Sequence, residues 1–250
     1  MKKTLRLFIF LLIFLAVAAA AWLLFIRANS DALWKIVSQQ CVPNQQQHHD
    51  PSPCLDVSLD KHFVVFKDAK GPLHTLVLPT DRITGIESPE LQKPATPNFF
   101  YYAWQERERL RQMADKPLDD RYLSLAVNAW SGRSQNQLHI HLACLRQDVY
   151  QTLTRQASRI GEAWQPLGEK IKGHEYLAMK IPATTFATTS PFILLNQYVQ
   201  TRGDDIAKYG LAVAFVEQDE VLLLANRLRL TDLNLGSAGE VLDYGCAIQN

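Results

Sequence analysis

Gln135-Asn136-Gln137-Leu138-His139-Ile140-His141-Leu142-Ala143-Cys144 is the stretch that decides the fold, because polar and apolar side chains alternate through it. A period of two is that of a half-buried strand. Leu138, Ile140 and Leu142 then face a core. Gln137, His139 and His141 share the other, open face at roughly 6.5–7 Å intervals. Packing alone has no need of two imidazoles and an amide in a row. Such a row can grip a phosphate or a metal ion.

Just upstream, residues 122–128 read as a second strand, joined to the first through the turn 129–133. The two belong to an antiparallel meander. Further back, residues 63–68 and 74–79 read as a hairpin about Lys70-Gly71-Pro72. Between hairpin and meander, Phe99, Ala103, Leu110 and Met113 recur at helical spacing, which predicts one helix over 98–113 covering the apolar face. Its early aromatics, Phe100, Tyr101, Tyr102 and Trp104, are assigned to core packing. The result is an α+β class: an antiparallel sheet with covering helices.

Downstream, helices are expected over 149–164, from Ser190-Pro191 onward and near Ser237, with a strand over 176–181 and a hairpin of 210–216 with 220–226. No internal sequence repeat is evident. The same kinds of element nonetheless recur, so the second half, about 149–250, is expected to complete the first half's sheet as a second subunit would.

A chain of 250 residues, 47% hydrophobic, suffices for one sizeable core or two small ones. The net charge of +1, without a basic stripe, argues against nucleic acid as a partner. Lys2, Lys3 and Arg6 precede an uncharged run over 7–26 that Arg27 closes. As a helix, twenty residues reach roughly 30 Å, the thickness of a bilayer core. We therefore expect an uncleaved anchor with a cytoplasmic N-terminus and the remainder exported. A cleaved signal peptide ending at Ala18-Ala19-Ala20 is the alternative.

The expected organisation is a basic tip and transmembrane helix over 1–27, then a linker over 28–60, then the catalytic domain over 61–250. Within the linker, Ser30 or Asp31 would cap a short helix, and a loop would join Cys41 to Cys54. Cys41, Cys54, Cys144 and Cys246 form an even set without a C-x-x-C pair, as disulfides in an oxidising compartment would. Of three pairings, the preferred one joins Cys41 to Cys54 and Cys144 to Cys246.

Three chemistries are open to the histidine strand. The histidines are structural; or they are two ligands of a zinc ion, with His174 as a third if the fold brings it close. In the third reading, an imidazole attacks phosphorus and forms a covalent phosphoramidate while its neighbour handles the phosphate oxygens or the leaving group.

The run from Asn128 through Ser131-Gly132-Arg133 to His139-Ile140-His141-Leu142-Ala143 resembles the histidine-triad superfamily of nucleotide hydrolases and transferases. Gln137 stands where the first histidine of the triad belongs, as in the branch that transfers nucleotides to sugar phosphates. Carried over by position, His139 matches the nucleophile and His141 the phosphate-contacting histidine. A closer resemblance covers nearly the whole chain: the bacterial CDP-diacylglycerol pyrophosphatases. Its blocks include Cys41-x-Pro43-Asn44-Gln45, Pro51-Ser52-Pro53-Cys54, Gly71-Pro72-Leu73, Thr96-Pro97-Asn98-Phe99-Phe100, Cys144-x-Arg146, Gly173-His174-Glu175-Tyr176 and Ser190-Pro191-Phe192.

The resemblances imply a histidine-triad-like (HIT-like) fold, an inner-membrane anchor and a periplasmic catalytic domain. They imply hydrolysis of CDP-diacylglycerol to CMP and phosphatidate, through a nucleotide carried on His139 and with His141 assisting. Neither metal nor other cofactor is expected. Arg133, Gln135 and Gln137 are assigned to the oxyanion, Asn128 to ribose or phosphate, and His174 is a candidate for the pocket. The runners-up are a superfamily hydrolase or nucleotidyltransferase acting on a soluble nucleotide, and a zinc-dependent periplasmic hydrolase.

Overall fold

The computed structural model describes residues 8–15, 17, 30–217 and 219–249. Most of the span expected over 7–26 lies outside these residues; 8–15 are helical. Among the described residues, no helix is long and apolar enough to cross a membrane.

Beyond residue 30 the chain opens with two short helices, α1 (Ala32–Ile36) and α2 (Val42–His48), separated by a π turn over Val37–Cys41. The first half then follows the expected periods. β1 (Asp56–Ser58), β2 (Phe63–Lys67) and β3 (His74–Pro79) precede α3 (Phe99–Gln105) and α4 (Arg107–Met113). β4 (Leu123–Val127), β5 (Ile140–Leu145) and α5 (Gln147–Gln156) complete it. The second half contains β6 (Gln165–Pro166), β7 (Leu177–Pro182), α6 (Pro191–Thr201), β8 (Tyr209–Ala214), β9 (Glu220–Arg227) and β10 (Leu242–Asp243).

All strand pairs are antiparallel, in the order β1-β2-β3-β5-β4-β8-β9-β7-β6. β10 takes the place beside β5 that β3 leaves: Ala143 faces His74, and Cys144 faces Asp243. The two halves meet at β4 and β8 through the same tripeptide. Leu125-Ala126-Val127 runs against Leu211-Ala212-Val213 with Ala126 opposite Ala212. Along the chain each half runs strand, helix, strand, strand, and outward from the seam the strands are β4-β5-β3 and β8-β9-β7. The strands of the two halves form one sheet.

Alternation sorts side chains onto two faces. One carries Leu123, Leu125, Leu138, Ile140, Leu142, Leu211, Val213 and Leu223 and buries them under Phe99, Phe100, Leu110, Phe192 and Leu195 from α3, α4 and α6. The aromatics at the start of α3 are thus largely core, with Tyr101 and Tyr102 only half-buried. The opposite face carries Ala126, Ala143, Ala212 and Leu224 beneath Val149 and Leu153 of α5 and beneath Ala238 and Val241. At its far side Val64, Leu76 and Leu78 pack on Val37 and Cys41. Both disulfides have the preferred pairing, Cys41 with Cys54 and Cys144 with Cys246.

Several boundaries differ from the sequence reading. The helix expected over 98–113 breaks at Glu106, whose ψ of 0° turns the chain between α3 and α4. Half of the loop expected between Cys41 and Cys54 is helical, because Pro43 sits in the first turn, where a missing N–H costs nothing. Neither Ser30 nor Asp31 caps α1 through its side chain: Asp31 pairs with Arg82 instead. The helix expected over 149–164 ends early; Gly161 leaves it to accept a hydrogen bond from Lys180 N–H on β7. The last helix shrinks to a 3₁₀ turn, Ala238–Val241, before β10.

Candidate active site

The histidine face is not open. β5 begins only at Ile140, and residues 135–139 approach it outside the strand, with a bend at Asn136 and Gln137 and Leu138 N–H held by Ile83 C=O. His139 and His141 are each 8% exposed, and Gln137 is fully buried. The cause is tertiary. Across the sheet His141 lies in the row Leu76–His141–Ala126–Ala212, with α1 and α2 over one end and the 238–241 segment over the other. The small alanines leave height above the sheet for the segment that closes it.

Register brings a third histidine to this face. His74, at the start of β3, lies diagonally across from His141, and its Nε2 is 2.9 Å from His141 Nδ1. Sequence reasoning passed over His74 as one residue of a hairpin strand. Only the β3–β5 register, joining residues 67 apart in the chain, reveals it.

The hydrogen-bond network assigns the protons. His74 Nδ1–H donates to Lys70 C=O at 3.1 Å. Its Nε2 must then accept, so His141 Nδ1–H donates to it. That leaves the lone pair of His141 on Nε2, which is buried without a partner. His139 Nδ1–H donates to Gln137 C=O at 2.7 Å, which puts its lone pair on Nε2 as well. Both imidazoles therefore carry their lone pair on Nε2, fixed by a carbonyl in one case and by His74 in the other.

Burial keeps all three rings neutral. It lowers His74 to about 4 against the opposing pull of Asp68, whose carboxylate is 3.7 Å away. It lowers His139 too, partly offset by the bond to Gln137, and pushes His141 far below 6.5, with His139 and His74 adding repulsion. The Lys70 charge also acts on each ring. A neutral imidazole is the nucleophilic form.

A clamp holds the His74 ring. Tyr244 stacks on it at 3.9 Å between centroids. Gly71, at φ +72°, admits this approach: a Cβ there would lie 2.6 Å from Tyr244 Cβ. Leu73 N–H donates to Tyr244 C=O, and the Cys144–Cys246 disulfide ties the following turn to β5.

The other expected site residues are largely occupied. Both amide hydrogens of Gln137 go to backbone carbonyls, of Pro79 and Asp81, each at 2.9 Å; its Oε1 is buried without a partner. Arg133 grips Glu87 through two bonds of 2.6 Å, and its buried Nε–H has no partner. The paired guanidinium holds the Glu87 carboxyl below its usual range despite burial. Gln135 Oε1 accepts from Leu33 N–H at 3.1 Å. Asn128 Oδ1 accepts from Gly239 N–H at 2.8 Å and Ser237 Oγ at 3.1 Å, pinning the closing segment.

His174 belongs to a separate cluster. Its Nδ1 is 2.9 Å from Glu240, which also accepts from Tyr176 OH at 2.7 Å. Asn226 Nδ2 donates to Tyr176 OH at 3.1 Å. The described residues contain no group of three or more His, Cys, Asp or Glu side chains arranged to hold a metal ion.

This geometry can present a neutral imidazole nitrogen to an electrophile, with a second beside it and an unpaired guanidinium N–H nearby in sequence. A family model described as CDP-diacylglycerol pyrophosphatase matches residues 28–250.

Proposed function

The chain belongs to the CDP-diacylglycerol pyrophosphatase family, hydrolases of a pyrophosphate bond, and from that premise we propose a course for the reaction and a role for each residue of the site. His139 Nε2 attacks the phosphorus that bears cytidine. The P–N bond forms as the bridging P–O bond breaks, and phosphatidate departs with the electron pair. Gln137 C=O, already accepting from Nδ1–H, supports the positive charge that develops on the ring. Water then attacks the same phosphorus and gives its proton to the His141 lone pair. The P–N bond breaks, its electron pair returns to His139 Nε2 and CMP leaves; His141 then releases the proton from Nε2 to solvent, so both rings return neutral.

The single observation that carries this reading is the fixed tautomer of His139, because an imidazole whose Nδ1–H is engaged has only Nε2 with which to attack. A triad of the HIT type uses its first histidine for support. Here His74 takes part of that duty from another strand, and Gln137 acts through its backbone. Arg133 Nε–H and Lys70 are the cationic contacts proposed for the phosphates, with Gln135 and Asn128 shaping the loop around them. A HIT-like fold fits the α+β sheet, with the two halves in place of two subunits.

The same reading places the domain outside the inner membrane, held by the run over 7–26, since the substrate's acyl chains stay in the bilayer. His139→Ala should abolish nearly all turnover, by about 10⁴-fold or more for a member of a nucleophilic unit. Mass spectrometry of the parent quenched during turnover should find CMP on His139. A variant within tenfold of the parent would exclude the covalent course through His139, and an adduct elsewhere would move the nucleophile to another residue.

A further inference from the structure

We propose that Trp130, Leu230, Leu233 and Leu235 form the surface on which this domain rests against the lipid bilayer, beside its active site. Leu230 is 70% exposed, Leu233 86%, Trp130 56% and Leu235 48%. Single exposed apolar residues are ordinary, but four on adjoining segments are not.

Backbone bonds join these segments. Arg229 and Asn234 exchange two bonds, of 2.8 and 3.0 Å, and close a tight tip with Leu230 and Leu233 on it. Leu233 adopts a left-handed conformation, φ 55°, at which a leucine gains nothing locally. Asp232, the acid within the tip, is 3.3 Å from Arg229. Behind the tip, Ser131 Oγ donates to Leu235 C=O at 2.7 Å, and Ala129 N–H to Gly236 C=O at 2.9 Å. Trp130 lies between those two residues.

The occupant is identified by the point at which the N-terminal segment meets the domain. Asn136 N–H donates to Ser30 C=O at 2.6 Å, Gln135 accepts from Leu33 N–H, and Asp31 pairs with Arg82. The chain leaving the uncharged run over 7–26 is therefore fastened to the loop 129–137, three residues before His139. That loop carries Trp130 at its other end. Apolar tip, anchor attachment and catalytic histidine thus sit on one continuous stretch of structure. A bilayer at this place would present its lipid head groups to the site. This inference rests on the membrane-anchored reading given above.

The test uses the full chain in vesicles of phosphatidylcholine and phosphatidylglycerol. Leu230→Asp/Leu233→Asp should lower turnover of long-chain CDP-diacylglycerol held in the vesicles by about tenfold or more, as expected when an apolar membrane contact is removed. Turnover of a short-chain, water-soluble CDP-diacylglycerol should stay within about twofold of the parent, because the site is untouched. Equal loss on both substrates, or none on either, overturns the proposal. In parallel, brominated phosphatidylcholine should quench Trp130, read as the difference between parent and Trp130→Phe; no difference overturns it too. Flotation of the parent with vesicles tests the anchor separately. Failure of the parent on both substrates would refute the assigned reaction, while quenching would still decide the surface.

Discussion

His139 and His141 are two residues apart, yet the structure prepares them by different means. A backbone carbonyl fixes the first; a histidine from another strand fixes the second. His74→Phe would keep a ring against Tyr244 but remove the acceptor that holds His141 Nδ1–H. His141 is then free to change tautomer and turn the wrong nitrogen to the substrate. We expect kcat to fall by about 100-fold, the lower end of what a general acid–base group contributes, with KM little changed. Steady-state kinetics on the variant checks this, and an unchanged kcat would remove His74 from the mechanism.

Neutrality of these rings also sets a pH dependence. All three are held below the ordinary value of 6.5, His74 at about 4. As pH falls from 6.5 toward 4, the unfolded chain takes up protons that the folded one refuses. Their contribution to stability is therefore full above 6.5 and is lost as pH drops through that window. Urea unfolding at pH 7, 6 and 5 should show the decline. The acid limb of kcat/KM should lie below 6.5, since the free His139 stays neutral there.

The element on which the site most depends is the short 236–241 segment, which closes the sheet face over Ala126 and Ala212. It is held on β4 and β8 by two devices. Asn128 accepts from Gly239 N–H and Ser237 Oγ, and Gly210 has no side chain to oppose it: a Cβ there would clash with Gly236 C=O and lie 2.7 Å from Ala238 N. Asn128→Ala leaves a partly buried N–H without its acceptor, at a cost of about 1–3 kcal/mol. Gly210→Val should cost at least as much, because backbone stands on the other side of the contact. Thermal unfolding would rank the two variants. For Asn128→Ala, a fall in kcat/KM beyond the folded-fraction loss would mark a direct substrate contact.

At the scale of the molecule, the seam Ala126–Ala212 relates two halves of like topology, but only one carries the histidines. In the second half Leu224 lies opposite Ala212 as His141 lies opposite Ala126, and Leu222 precedes it as His139 precedes His141. The second half supplies packing, the tyrosine clamp and the closing segment. The disulfides differ in reach accordingly. Cys144–Cys246 closes 102 residues and Cys41–Cys54 closes 13. Loop-closure entropy sets the first at about 4.7 kcal/mol and the second near 3 kcal/mol. Replacing Cys144 and Cys246 by serine should thus lower Tm more than replacing Cys41 and Cys54. It should also depress kcat, because Tyr244 loses its tether over His74. Equal Tm losses would contradict the ranking.

Alternation and helical spacing act between residues a few positions apart, so strands, helices, the β4–β5 meander and the His139–His141 pair were legible in the chain itself. The ordered blocks around them carried the family. Local pattern could not show that the polar face of that strand is covered, because α1, α2 and the 238–241 segment reach it from residues about a hundred positions away. Nor could it show that His74 completes the set, or that Gln137 and Arg133 are committed to Pro79, Asp81 and Glu87. Those facts depend on strand register and on which loops meet. Hydrogen bonds and burial between distant segments exist only once the sheet has closed.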